Sequence, residues 1–246
     1  MLEDPLSGGP VLQGHRLSKR FGGLRAVNDV NVSVKAGEIV SVIGPNGAGK
    51  TTLFNILAGS QIADSGNVFL DGEDVTRFSA LKRARKGLAR SFQLVESFES
   101  MTTRETLITA CLLRADLHDA RERADDLLDA LGLSAVANKR PSELSLASAK
   151  LLELGKCLAT SPKLLLLDEM MSGLTLAEAE RPMSIIRDLR DSGVGVLLTE
   201  HVMPIVMQLS DRLIVMSFGE KIVDGPPSEA VNDERVRSAY LGTPST

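Results

Sequence analysis

Glu38-Ile39-Val40-Ser41-Val42-Ile43, followed directly by Gly44-Pro45-Asn46-Gly47-Ala48-Gly49-Lys50-Thr51-Thr52, is the stretch that decides the fold. Its first part is a β-branched run ending in glycine, which predicts a strand, and Lys50 to Ala58 continues as a helical pattern. Between them stands G-x-x-x-x-G-K-[ST], a spacing at which backbone N–H groups curl around phosphates while the helix N-terminus adds a favourable field for an anion. Gly44, Pro45, Asn46, Gly47, Ala48, Gly49, Lys50, Thr51 and Thr52 are the candidate nucleotide contacts. Lys50 is expected to reach the β- and γ-phosphates, and the Thr51 hydroxyl to ligate Mg²⁺. A fortuitous glycine-rich turn is the alternative, and a strand before with a helix after weighs against it.

Further along, Leu164 to Leu167 leads into Asp168-Glu169, a hydrophobic strand delivering two carboxylates at the edge where parallel sheets bind ligands. Alone, such a pair is more often a helix cap or an ion-pair partner. Beside a phosphate loop, Asp168 becomes the candidate Mg²⁺ holder, and Glu169 the group that orients the attacking water and accepts its proton. A P-loop kinase or another NTPase is open at this point. Val194 to Leu198 repeats the buried-strand character, with a helix expected between the two runs, so the sheet should be parallel and covered on both faces. Val27 to Val34 and Val68 to Leu70, broken by Gly22-Gly23 and Asp71-Gly72, predict an antiparallel portion. From Thr102 to Leu133, Ala120, Ala124, Leu127, Leu128 and Leu131 recur at helical steps. Leu213 to Met216 and Lys221 to Val223 flank Phe218-Gly219 like a hairpin, and Ala230 to Leu241 reads as helix. The first ten residues read as a loose leader.

At 246 residues, 43% hydrophobic and 24% charged, the chain has the composition of one large α/β domain with a substantial core. A net charge of −4 argues against blanket phosphate neutralisation and hence against nucleic acid as the partner. Cys111 and Cys157 lack metal or redox spacing, and no segment approaches the ~18 apolar residues of a membrane span. The expectation is a cytoplasmic, soluble chain that meets a membrane only through a partner.

These residues resemble those of ATP-binding-cassette ATPases from Leu12 to about Leu241. Gln93, in Ser91-Phe92-Gln93, is similar to the family's glutamine loop, which senses Mg²⁺ and water. His201, in Leu198-Thr199-Glu200-His201, is similar to the switch histidine at the γ-phosphate, and Phe21 stands where the family stacks an aromatic on adenine. The branched-chain amino-acid importer ATPases are the nearest resemblance, on Leu88 to Gln93, Glu200 to Met203 with Val206-Met207, Ser210-Asp211-Arg212, and Ala239 to Gly242. The resemblance implies a P-loop NTPase core of α/β class, a parallel sheet flanked by helices. To it belong an N-terminal antiparallel β subdomain and a helical subdomain over residues 94–159, with the core at 11–93 and 160–246 of a single domain. It implies ATP hydrolysis with Mg²⁺, transmembrane permease subunits as partners, a head-to-tail dimer with itself or a second cassette ATPase, and indirectly a solute-binding protein. The chain would sit peripherally on the inner face of the cell membrane.

Three departures stand out. Where the family carries L-S-G-G-Q, this chain reads Leu144-Ser145-Leu146-Ala147-Ser148; Ser145 survives as the nucleotide-contact candidate. Met170 replaces the usual proline after the acidic pair, and Thr175 a customary Asp or Asn. In the family, that signature presents backbone amides to the partner's γ-phosphate, and Leu146 would hinder the approach that glycine permits. The rival reading is therefore a nucleotide-dependent clamp with little turnover, against which the intact Glu169 stands.

Overall fold

The computed structural model describes residues 9–91 and 100–241. β1 (Leu12–Phe21) and β2 (Leu24–Val34) form a hairpin, and β3 (Ile39–Ile43) feeds α1 (Lys50–Ala58). β4 (Ser65–Leu70), β5 (Glu73–Asp74), α2 (Ala80–Arg85) and β6 (Leu88–Arg90) follow. Next come α3 (Thr103–Cys111), α4 (Leu117–Leu131), two short 3₁₀ turns and α5 (Leu146–Leu158). The chain then alternates through β7 (Leu164–Asp168), α6 (Leu176–Asp191), β8 (Gly195–Thr199) and α7 (Met203–Leu209). It ends with β9 (Arg212–Ser217), β10 (Glu220–Gly225), α8 (Pro227–Ala230) and α9 (Glu234–Leu241).

Among the described residues the strands make two sheets, ordered β2-β1-β4-β5 and β10-β9-β3-β8-β7-β6. The first is antiparallel; in the second, β9 through β6 run parallel and β10 joins antiparallel. Alternation along the central strands explains why these runs are apolar throughout. Leu165 and Leu167 of β7 pack with α4, α5 and α6 residues on one face, while Leu164 and Leu166 pack with α1 and β-subdomain residues on the other. With both faces covered, each strand position faces a core, so period-two polarity disappears.

Turn chemistry fixes the hairpins. Asp71 and Gly72 have φ of 47° and 78°, and Phe218 and Gly219 have 47° and 82°. Two consecutive left-handed residues make the turn whose twist matches that of antiparallel strands.

The helical stretch from Thr102 to Leu133 consists of two helices, α3 and α4. Thr102 caps α3 through a reciprocal box with Glu105, and Asp116 caps α4, so the chain restarts a helix within that span. Likewise Ala230 to Leu241 divides between the end of α8 and α9. The sequence reading did not single out β6, a strand of three residues, too short to show a period.

α1 is anchored at its far end by Arg83, whose guanidinium donates to the carbonyls of Ile56, Leu57 and Thr76 at 2.7, 2.6 and 3.0 Å. The Ile56 and Leu57 carbonyls belong to the last turn of the helix, where a cation also complements the dipole. Burial pushes the Arg83 pKa down to about 10. The opposite, amide-bearing end of α1 points back to the loop that precedes it.

Candidate active site

The loop from Gly44 to Gly49 leaves the C-terminal edge of β3 and turns into α1, and at its two end glycines, Gly44 and Gly49, a side chain would collide with backbone. Gly44 has φ 152°, and a Cβ there would lie 2.2 Å from the Met216 carbonyl; Gly49 has φ 100°, and its Cβ would lie 2.1 Å from the Ala26 carbonyl. Gly49 caps α1 without a side-chain hydrogen bond, which leaves the first-turn amides of Lys50, Thr51 and Thr52 to face an external acceptor. Lys50 Nζ folds over the loop, donating to the carbonyls of Gly44 at 2.6 Å and Pro45 at 3.2 Å. Burial lowers its pKa, and the nearby charges of Glu169 and Asp168 oppose that shift. The lysine is therefore bonded to the loop and within electrostatic reach of the acidic pair. Ala48 is buried, whereas Asn46, Gly47 and Thr51 are exposed.

Asp168 closes β7 and is 5% exposed. Its Oδ1 accepts the Thr199 hydroxyl at 2.7 Å and its Oδ2 accepts Arg90 at 3.2 Å, while its backbone N–H donates to Ser91 Oγ at 3.1 Å. Arg90 in turn donates to Asn55 Oδ1 on α1 at 2.7 Å. A buried carboxylate is tolerable because a cation and a hydroxyl hold it.

Glu169 follows at φ 47°, a left-handed conformation that a non-glycine residue adopts only under constraint. Three groups supply the constraint. Its N–H donates to both the carbonyl and the hydroxyl of Thr199 at 3.1 Å, and its own carbonyl accepts Ser172 N–H at 3.2 Å and Lys150 Nζ at 3.3 Å. Glu200 holds the next turn, accepting Met171 N–H on Oε1 at 2.8 Å. Burial raises the Glu200 carboxyl above its ordinary range.

His201 is exposed, two residues beyond the end of β8. Phe21 sits at the tip of the β1–β2 hairpin, 47% exposed, with Lys19 Nζ 5.9 Å from its ring centroid. Gln93 lies outside the described residues. Ser145 caps α5, its hydroxyl accepting Ser148 N–H at 3.2 Å. Met170 is buried in the core against which α5 and α6 pack, and Thr175 caps α6 through a box with Glu178, so two of the sequence departures have local structural uses. Arg90, Ser91, Asn55, Lys150, Thr199 and Glu200 escaped sequence reasoning as site residues, although Arg90, Ser91, Thr199 and Glu200 lie inside stretches already singled out.

The residues present suit a magnesium nucleotide. The Thr51 hydroxyl and the Asp168 carboxylate are hard oxygen donors, and Mg²⁺ is usually held by one or two carboxylates together with substrate phosphates. Among the described residues, no group of three or more His, Cys, Asp or Glu makes a free-standing metal cage. An apolar groove of about 420 Å³, lined by Ala58, Leu81, Ala84, Leu88 and Cys157 among others, reaches Arg90 but contains none of the loop residues.

Residues 27–172 match the ABC transporter family, spanning strands β3 and β7, the loop and the acidic pair. The chain belongs to that family. Residues 220–245 also match the family described as branched-chain amino acid ATP-binding cassette transporter. The chain is 38% identical over 250 residues to the high-affinity branched-chain amino acid transport ATP-binding protein BraF of Pseudomonas aeruginosa, covering 95% of this chain and 98% of that one. It is 37% identical to LivG, of the same description, from Escherichia coli, with the same coverage, and 34% identical over 234 residues to the lipopolysaccharide export system ATP-binding protein LptB of Haemophilus influenzae, covering 94% and 97%. A nucleotide-free ATP-binding cassette from an ABC transporter superposes with a TM-score of 0.86 at 28% identity, over 96% of this chain and all of that one. The chain is thus an ATP-binding and hydrolysing subunit of an ABC transporter, with the P-loop α/β fold that its sequence implied.

Proposed function

We propose that this ABC ATPase powers an amino-acid importer of the branched-chain type, working beneath transmembrane permease subunits that receive solute from a binding protein. The observation that carries the chemistry is Lys50 folded over its glycine loop, close enough to Glu169 and Asp168 for their charges to act on it. The C-terminal match over residues 220–245 favours the branched-chain reading over the lipopolysaccharide one. No described helix is long and apolar enough to cross a membrane, so movement across the bilayer falls to a partner.

In this reading the α1 amides and Lys50 would hold the phosphates, and Thr51 and Asp168 would hold the magnesium, with Gln93 assigned to the same ion by the family resemblance. When bound, Mg²⁺ offsets negative charge on the phosphates as it builds toward the transition state. Glu169 orients water in line with the γ-phosphorus and accepts its proton, so the carboxylate must be ionised and its backbone fixed. His201 donates toward the γ-phosphate, Phe21 meets the adenine, and Ser145 with the α5 amides faces the nucleotide of a second cassette. No step calls for nucleic acid.

The test is uptake of labelled leucine, isoleucine and valine by cells lacking this chain, complemented with wild type or Glu169→Gln. Loss of uptake on deletion and rescue by wild type alone are expected. Uptake unchanged by deletion would remove the branched-chain assignment. Full rescue by Glu169→Gln would show that transport does not need hydrolysis at this chain's site, as the clamp reading holds.

A further inference from the structure

We infer that Thr199 is a positioning residue for hydrolysis, its single hydroxyl tying the two carboxylate residues to each other. This rests on the assignment of Asp168 and Glu169 to magnesium and water. β8 lies beside β7 in parallel register with Thr199 opposite Asp168. At that pairing the Thr199 hydroxyl donates to Asp168 Oδ1 at 2.7 Å and accepts the Glu169 N–H at 3.1 Å. Both Thr199 and Asp168 are buried, at 1% and 5% exposure, so neither bond competes with bulk water.

The chemistry of the hydroxyl makes the arrangement directional. It has one proton to give and lone pairs to receive. The proton goes to Asp168 Oδ1, which fixes the rotamer of that side chain. The oxygen meets the amide of Glu169 where the chain enters its left-handed φ of 47°. One atom therefore sets the angle between the carboxylate that holds metal and the backbone that carries the base. A hydrogen bond to a charged group is worth more than a neutral one, and inside a site a small misplacement of a reacting group is amplified in rate.

Packing does not account for the hydroxyl. Gly195, Val196, Leu197 and Leu198 make up the rest of this strand, and valine would give position 199 the same branching and nearly the same shape. The Glu169 N–H also donates to the Thr199 carbonyl at 3.1 Å, so it keeps a partner when the hydroxyl is removed. What valine deletes is the link to Asp168 and the tie between the two acids.

The experiment compares full-length wild type, Thr199→Val and Thr199→Ser in ATP turnover and in equilibrium ATP binding across a Mg²⁺ titration. Thr199→Val should lower kcat about tenfold with KM for ATP within about twofold, and raise severalfold the Mg²⁺ needed for half-maximal binding. Thr199→Ser, which keeps the hydroxyl, should recover kcat to within about threefold of wild type. Should the valine variant lose its cooperative melting transition, Thr199→Ala is read against Thr199→Ser in the same way. Near-wild-type values for Thr199→Val in both measurements overturn the inference, and so does a serine variant as impaired as the valine one. Glu169→Gln run in parallel separates the two levels. If it turns over normally, the role of Glu169 fails, while the Mg²⁺ shift still reports on Asp168. If it is inactive and Thr199→Val is normal, only the role of Thr199 falls.

Discussion

Lys150 Nζ, on α5, donates across 3.3 Å to the carbonyl oxygen of Glu169 at the end of β7. The lysine is only 7% exposed, and it sits five residues after Ser145 on the helix whose N-terminus carries the altered signature. α5 is thereby joined to the backbone of the proposed base. Lys150→Met keeps the length and the apolar stem but removes the donor. Turnover is expected to fall about tenfold, with melting temperature within about 4 °C of wild type and Lys150→Arg intermediate. Unchanged turnover in the methionine variant would show that Ser172 and Thr199 hold Glu169 without it.

Gly49 makes a sharper stability prediction. Alanine there meets the Ala26 carbonyl at 2.1 Å and must adopt φ 100°, so Gly49→Ala should lose about 2 kcal/mol or more and with it nucleotide binding. Gly72, at φ 78° with open space around its missing Cβ, is the control. Gly72→Ala should lose about 1 kcal/mol and keep binding. Chemical denaturation of both, with ATP titration, decides it, and equal losses at the two positions would contradict the argument.

Glu200 predicts a pH signature. Its folded carboxyl binds protons more tightly than the ordinary value of 4.5, chiefly through burial. As pH rises past that value, the unfolded chain gives up its proton before the folded one, so native stability declines until the raised pKa is passed. Glu200→Gln can still accept the Met171 N–H but has no proton to lose. Its melting temperature should match wild type near pH 4 and exceed it at pH 8. A difference that stays constant or reverses with pH would contradict this.

Much of the site could be read from the sequence because its parts are local. Gly44 to Thr51 is contiguous, and Asp168-Glu169 ends a run of four leucines whose burial on both faces follows from composition alone. Thr199, Arg90 and Lys150 were not legible as site residues, because each acts on an acid 19 to 78 positions away. Only the β6-β7-β8 register and the packing of α5 bring them there. A lysine in a mostly apolar helix reads as an exposed cation until the fold buries it. The break between α3 and α4 is not legible in the sequence for another reason. Leu112, Leu113 and Ala115 continue the apolar content, and only the capping geometry of Asp116 marks the new start.

The altered signature predicts low activity in isolation. Leu146 is 49% exposed at the first turn of α5, and its Cδ2 lies 3.0 Å from where a Gly173 Cβ would stand, in the loop after Glu169. A leucine side chain at this helix start crowds the amides that would meet a partner's phosphate. Changing Leu146→Gly, Ala147→Gly and Ser148→Gln together should raise the ATPase rate of the isolated chain, despite about 1 kcal/mol of helix propensity lost at each glycine. A wild-type chain already turning over at ~1 s⁻¹ or faster, with no gain in the triple variant, would remove the signature as the limiting feature.

The most direct test of the account is ATP binding and hydrolysis by Glu169→Gln, measured on the same full-length preparation as wild type. The amide keeps the shape of the side chain and loses the ability to accept a proton from water. ATP affinity should stay within about threefold while turnover falls at least about a hundredfold, with an unchanged melting temperature. Turnover within about threefold of wild type would contradict the assignment of Glu169 as the base and the mechanism built on it.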